Sequence, residues 1–170
     1  MAATGDKVLV PPLNFAMVEP NIYRSGYPNK KNFPFLLKLG LKSVMYICED
    51  DYTQETLDFW RINNVCVFHM RIAGNKEPFG EIEQKDIADA LLKVLDEKNQ
   101  PILLHCNKGK HRVGCLIGCL RKLQKWSMAS IFDEYRRFAG TKTHIADQEF
   151  IEVFDSNTVA HLLSIESQKA

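Results

Sequence analysis

The chain of 170 residues has no long hydrophobic run, no low-complexity linker, no internal repeat and almost no net charge. No apolar stretch approaches the roughly 20 residues that a membrane helix needs, and no leader pattern opens the chain, so neither a spanning nor a secreted protein is expected. Lys and Arg number 22 against 21 Asp and Glu, a net charge of +1. A general nucleic-acid or membrane partner is therefore not indicated, and basic character that serves a polyanion must be local. The five cysteines, Cys48, Cys66, Cys106, Cys115 and Cys119, are odd in number and follow no disulfide framework. They fit a reducing compartment, the cytoplasm or the nucleus. At 45% hydrophobic and 25% charged, the composition is that of one domain with a single sizeable core. The expected organisation is a flexible tail over 1–8, a domain over 9–156, and a C-terminal tail over 157–170 with helical character.

What the chain does have is one dense run of chemistry, His105-Cys106-Asn107-Lys108-Gly109-Lys110-His111-Arg112. It follows the apolar run Pro101 to Leu104 and leads into Val113 to Leu120, which reads as strand, tight loop and helix. A loop at a helix N-terminus has unpaired N–H groups and a positive dipole end, so it stabilises an anion and favours the thiolate of a cysteine. Cys106 would be the nucleophile. Gly109, without a Cβ, lets the backbone turn and approach an oxyanion. Arg112 offers a planar fork for two phosphoryl oxygens. His105 stands where it can orient the loop by hydrogen bonding.

Other readings of the run are weaker. A nucleotide-binding phosphate loop would need Ser or Thr after Gly109-Lys110, where this chain has His111, and a glycine where it has Leu104. A zinc site from His105, Cys106, His111 and Cys115 lacks paired ligand spacing. The bland alternative is a buried cysteine beside a solvated basic loop. No metal and no cofactor are expected.

The stretch His105 to Gly114 resembles the signature of the cysteine-dependent phosphatases, and the longer text is similar to the plant and fungal atypical dual-specificity phosphatases. The matching blocks are Leu9-Val10-Pro11-Pro12-Leu13-Asn14-Phe15, Ile22-Tyr23-Arg24-Ser25-Gly26-Tyr27-Pro28, Gly74-Asn75-Lys76-Glu77-Pro78-Phe79, Cys115 to Trp126, and Ile131-Phe132-Asp133-Glu134-Tyr135. They span most of Leu9 to Asp155. The resemblance implies an α/β fold of the dual-specificity phosphatase type, with a mostly parallel central sheet flanked by helices and a Cys-x5-Arg loop between a strand and a helix. It also implies removal of the β-phosphate of inositol pyrophosphates, especially at the 5-position, through a phosphocysteine. Carried over, Cys106 is the nucleophile, Arg112 the phosphate clamp, and Asn107, Lys108, Gly109, Lys110, His111 and Lys76 line the substrate.

Two departures bear on the chemistry. Cysteine phosphatases usually place Ser or Thr after the arginine, where the hydroxyl helps the thiolate leave; here the residue is Val113, which removes that hydrogen bond. Many also carry an Asp general acid on a loop that corresponds to Ile72–Ile82, which here has no Asp and only Glu77 and Glu81 as carboxylates. A tyrosine leaving group, with a pKa near 10, needs a proton; a phosphate, with a second pKa near 6, can leave without one. The missing Asp favours phosphoanhydride substrates, unless Glu77 or a distant Asp50, Asp51 or Asp147 folds into place. The alternatives are a protein tyrosine, dual-specificity or phosphoinositide phosphatase, and a pseudophosphatase that binds phosphate without turnover.

Elsewhere the pattern predicts strands at Asn21–Arg24, Ser43–Ile47 and Val65–Met70. Helices are expected near Phe33–Leu39, Thr53–Asn63, around Ile87–Leu95, after Ser127 as N-cap, and at Asp147–Phe154. Trp60, Trp126, Cys115 and Cys119 read as core, and Arg24 and Arg71 as surface charges or structural pairs rather than anion contacts. Cys48, at the end of a strand that would neighbour the catalytic one, is a possible redox partner of Cys106.

Overall fold

A computed structural model describes residues 7–76 and 80–170. The order is β1 (Ala16–Glu19), β2 (Ile22–Ser25), α1 (Phe33–Lys38), β3 (Ser43–Ile47), α2 (Gln54–Ile62), β4 (Cys66–Met70) and α3 (Gln84–Leu95). It continues with β5 (Ile102–His105), α4 (Arg112–Leu123), α5 (Met128–Ala139), α6 (Ile145–Val153) and α7 (Ser156–Lys169). The five strands form one sheet in the order β1-β2-β5-β3-β4; β2, β5, β3 and β4 run parallel, and β1 is an antiparallel edge. The expected mostly parallel sheet with flanking helices is what forms.

The pleat of the sheet separates two cores, because successive side chains point to opposite faces. Met45, Ile47, Ile102, Leu104 and Cys106 pack into the larger one, with α3 to α7. Val44 and Leu103 face the smaller one, built with Leu36 and Trp60. Both faces are covered, so β3 and β5 are buried at every residue and read as continuous apolar runs.

Helix α4 runs through the larger core and is buried from Val113 to Arg121. Its neighbours come close because two positions lack side chains: a Cβ at Gly114 would lie 2.9 Å from the Tyr135 ring, and one at Gly118 would lie 2.5 Å from Ile151. Cys115 and Cys119 are core residues of this helix. Thr53 and Ser127 cap α2 and α5, each accepting from the N–H three residues on.

Trp126 departs from the expectation of core. It is 40% exposed and lies under the Arg121 guanidinium, 4.1 Å from the ring centroid. Ser156–Lys169 forms α7, which packs on α3 and α4 and buries Val159. Among the described residues, no helix is long and apolar enough to cross a membrane.

Candidate active site

Strand β5 delivers Cys106 at its C-terminal end, and α4 begins with Arg112; the six residues between them and including Cys106 turn the chain through the loop. The loop is held from outside. Tyr27 N–H donates to the Asn107 carbonyl at 3.0 Å, Asn14 Nδ2 to Lys108 at 2.9 Å, and Arg24 to Gly109 at 3.1 Å. In a trans peptide the N–H opposes the C=O, so fixing three successive carbonyls outward turns the N–H groups of Lys108, Gly109 and Lys110 to the concave side. That is an anion cradle.

Gly109 is required for a local reason beyond approach to a ligand. Its φ is +71°, and a Cβ there would lie 2.6 Å from Gly26 N and 2.7 Å from the Ser25 carbonyl carbon. The loop is pressed against the turn after β2, and only glycine fits.

His105 is fully buried, and burial, opposed by its bond to the Cys106 backbone, takes its pKa down to about 3. The neutral ring donates from Nδ1 to the Cys106 carbonyl at 3.3 Å and accepts at Nε2 from the Tyr52 hydroxyl at 2.5 Å. It stacks on Tyr46. Tyr46 in turn donates to Asn107 Oδ1 at 2.8 Å, while Asn107 Nδ2 donates to Asp50 at 3.3 Å. The Asn107 side chain is thus engaged by the protein, and with its carbonyl held by Tyr27 the backbone N–H is what is left for a ligand.

Arg112 has a buried Nε with no partner, and among the described residues no carboxylate pairs with it. A free guanidinium beside a nest of N–H groups is a site built for an oxyanion. Lys108 and Lys76 are exposed and Lys110 is half-buried, a basic rim. Val113 is completely buried in the larger core, and as a valine it offers no side-chain hydroxyl at that position.

His111 has its Nε2–H committed to the Lys142 carbonyl at 2.6 Å, and its ring stacks on His144 at 3.7 Å and 5°. Burial, reinforced by His144 and opposed by the Lys142 bond, holds it below the usual histidine pKa. His111, His144 and Asp147 bring ligating atoms within 4.8 Å of one another. Parallel rings cannot both direct an in-plane lone pair at one ion, so as they stand these residues do not form a metal centre.

The distant acids are accounted for. Asp147 is fully buried and accepts from Asn75 Nδ2 at 3.0 Å and from the Tyr135 hydroxyl at 2.5 Å, so it is structural. Asp51 pairs with exposed Arg71. Asp50 accepts from Asn107 and from the Cys48 thiol, at 3.4 Å for the latter. Glu77 lies outside the described residues. Glu81 is exposed, and its N–H, with that of Ile82, donates to Asn75 Oδ1. Asn75 therefore ties both ends of the loop that carries Lys76 to α6. Nothing in the sequence reading singled it out; its place between Gly74 and Lys76 was the available signal.

Cys48 and Cys106 are both free thiols. By register Ile47, not Cys48, comes level with Cys106, and the Cys48 thiol is turned to Asp50 on the Tyr46 side of the sheet. The two residues therefore face opposite sides of the sheet. Of the two expectations for Arg24, a surface charge or a structural pair, the structure overturns the first: it is 1% exposed and donates to the Gly109 carbonyl beneath the loop.

A parallel sheet that ends in a cysteine, an amide-lined loop and an unpaired arginine at a helix start define a cysteine-dependent phosphatase. The chain belongs to the tyrosine phosphatase family, whose model matches residues 9–169. It is 49% identical over 158 residues to inositol diphosphatase DSP1 of Oryza sativa subsp. japonica, covering 93% of this chain and 71% of that protein. It is 48% identical over 160 residues to inositol diphosphatase SIW14 of Saccharomyces cerevisiae, covering 94% of this chain and 57% of the yeast protein. The crystal structure of the core catalytic domain of the PP-IP phosphatase SIW14 from S. cerevisiae, in complex with citrate, superposes with a TM-score of 0.88 at 43% identity over 94% of this chain and 96% of that domain.

Proposed function

We propose that the protein hydrolyses the β-phosphate of inositol pyrophosphates, of the 5-diphosphoinositol type, through a phosphocysteine. The observation that carries this reading is the unpartnered Arg112 beside the amide-lined loop that follows Cys106. The inositol diphosphatases that resemble the chain supply the substrate class.

The chemistry proceeds in two displacements. The Cys106 thiolate attacks the terminal phosphorus, the bridging P–O bond breaks, and the electron pair leaves on the inositol polyphosphate as a phosphate oxyanion. Arg112 and the loop amides hold the equatorial oxygens as charge spreads over them. Water then attacks phosphorus, the S–P bond breaks with its electron pair returning to sulfur, the water's protons leave on the phosphate, and orthophosphate is released as the thiolate is regenerated. The thiolate does what a metal-bound hydroxide does in metal-dependent hydrolases. With Asp147 and Asp51 engaged elsewhere, a leaving group that needs no proton suits the site best.

The neutral His105 orients the loop through the Cys106 carbonyl, and Lys76, Lys108 and Lys110 serve the phosphates beyond the scissile one. The free thiols suit the reducing cytoplasm or nucleus.

Orthophosphate release across an inositol pyrophosphate, a phosphotyrosine peptide and a phosphoinositide tests the reading. The expected order of kcat/KM puts the pyrophosphate first. A preference for the peptide would support a protein phosphatase, the second reading. Phosphate binding without any release would support a pseudophosphatase, the reading that Val113 favours.

A further inference from the structure

Arg24 is a buried cation that pairs with no carboxylate among the described residues. It projects from β2 beneath the phosphate loop, 1% exposed, with its guanidinium carbon 3.7 Å from the centroid of the Phe138 ring. One nitrogen donates to the Gly109 carbonyl at 3.1 Å; Nε and the other terminal nitrogen have no partner among the described residues. Glu134, an acid whose charge Arg24 feels, is already held by Arg121 through two contacts of 3.0 Å. A guanidinium buried this deeply with two idle donors is costly unless an anion shares the space.

The sheet register puts one candidate anion on the same face. Arg24 is directly opposite Leu104 in the parallel β2–β5 pair. Two residues further along β5, on the same face of the pleat, comes Cys106. That diagonal is within the reach of an arginine side chain.

We propose that Arg24 is the buried counter-ion of the Cys106 thiolate, and so a positioning residue for phosphoryl transfer that acts from behind the loop while Arg112 acts from in front. The proposal rests on Cys106 being the nucleophile, as argued above. One guanidinium then does two things: it holds the Gly109 carbonyl outward, which keeps the amides inward, and it compensates the sulfur's charge across the dry side of the site. It also explains why Arg24 tolerates burial, which takes its pKa down only to about 10 against the opposing pull of Glu134 and Cys106. The side chain stays charged at neutral pH.

The other charged or titratable groups near this pair are few. His105 on β5 is neutral, burial pushes the Cys115 thiol on α4 well up, and Asp147 on α6 is taken by Asn75 and Tyr135. Arg121 on α4 and Glu134 on α5 neutralise each other. Arg112, Lys108, Lys110 and His111 belong to the loop itself and are unchanged in the test.

The test is alkylation of Cys106 by iodoacetamide in the ligand-free protein as a function of pH, read by mass spectrometry of the Cys106 peptide. Wild type is compared with Arg24→Gln, which keeps an N–H donor for Gly109 and removes the charge, and with Arg24→Lys, which keeps the charge and loses the fork. At pH 6 the Gln variant should react about tenfold more slowly than wild type, with its midpoint about one pH unit higher, and the rates should converge at high pH. The Lys variant should stay within about threefold of wild type. Identical pH profiles for wild type and Arg24→Gln overturn the proposal, as do equal losses in the Gln and Lys variants at every pH, which would mean packing alone. If Arg24→Gln does not fold, Arg24→Met takes its place under the same criteria. Orthophosphate release from an inositol pyrophosphate by wild type is measured alongside. A shifted alkylation profile without release keeps the role of Arg24 and rejects the substrate; release with an unshifted profile does the reverse.

Discussion

Gly74 lies flat against the guanidinium of Arg112: a Cβ at that position would be 3.3 Å from Cζ and from one terminal nitrogen. The loop that carries Lys76 is therefore in contact with the proposed phosphate clamp, and the glycine is what allows it. Gly74→Ala should push the guanidinium aside by a few tenths of an ångström. A displacement of that size should lower kcat/KM on the order of tenfold, with little change in thermal stability. Steady-state kinetics and a melting curve on the same preparation check this; an unchanged kcat/KM would mean that the clamp is not set by this contact.

The basic rim should discriminate by substrate charge. Lys76→Ala or Lys110→Ala should weaken an inositol pyrophosphate by about tenfold in kcat/KM, roughly 1.4 kcal/mol, and a small aryl phosphate by much less. Their salt dependence should flatten as well. Equal losses for the two substrates would assign these lysines to the loop rather than to the distal phosphates.

Val113 is buried where a hydroxyl would help the sulfur depart. Threonine is nearly the same shape, so Val113→Thr should fold and should shorten the lifetime of the phosphocysteine several-fold. Rapid-quench measurement of trapped phosphoenzyme decides. An unchanged lifetime would show that another donor already serves the departing thiolate.

His105 predicts a pH effect on stability. Its folded pKa is depressed to about 3 from the ordinary 6.5, so below pH 6.5 the unfolded chain binds a proton that the native state does not. Its contribution is fully present above about pH 6.5 and is lost as pH falls toward 3, at up to about 1.4 kcal/mol per pH unit. Urea denaturation of wild type and His105→Gln at pH 7.5 and pH 5 checks the sign: wild type should lose more stability on acidification than the variant. A variant that loses as much would place the acid sensitivity elsewhere.

The sheet and the site loop were legible because their signals are local. Pro101 to Leu104 is an uninterrupted apolar run, Ser43 to Ile47 is rich in strand-forming residues, and the run from His105 to Arg112 concentrates a nucleophile, a glycine and an arginine in one loop. What was not legible depends on contacts far apart in sequence. Arg24 and Gly109 are 85 residues apart, as are neither motif nor period. Asn75 and Asp147 are 72 apart, and only the packed chain shows an amide tying the Lys76 loop to α6. Trp126 misled because its hydrophobicity suggested core, whereas the Arg121 guanidinium covers one face of its ring and leaves the rest to solvent. At Gly109 the sequence shows the need for a turn near an oxyanion, but only the fold shows that the backbone of Ser25 and Gly26 excludes a side chain there.

The most direct test of the account follows the β-phosphate of an inositol pyrophosphate labelled in that group, in a single turnover quenched on the millisecond scale. Label should appear first on the Cys106 peptide and then as orthophosphate, with both signals abolished in Cys106→Ser while that variant still binds the substrate. Orthophosphate that forms at the wild-type rate in Cys106→Ser, or without label ever reaching Cys106, would contradict it.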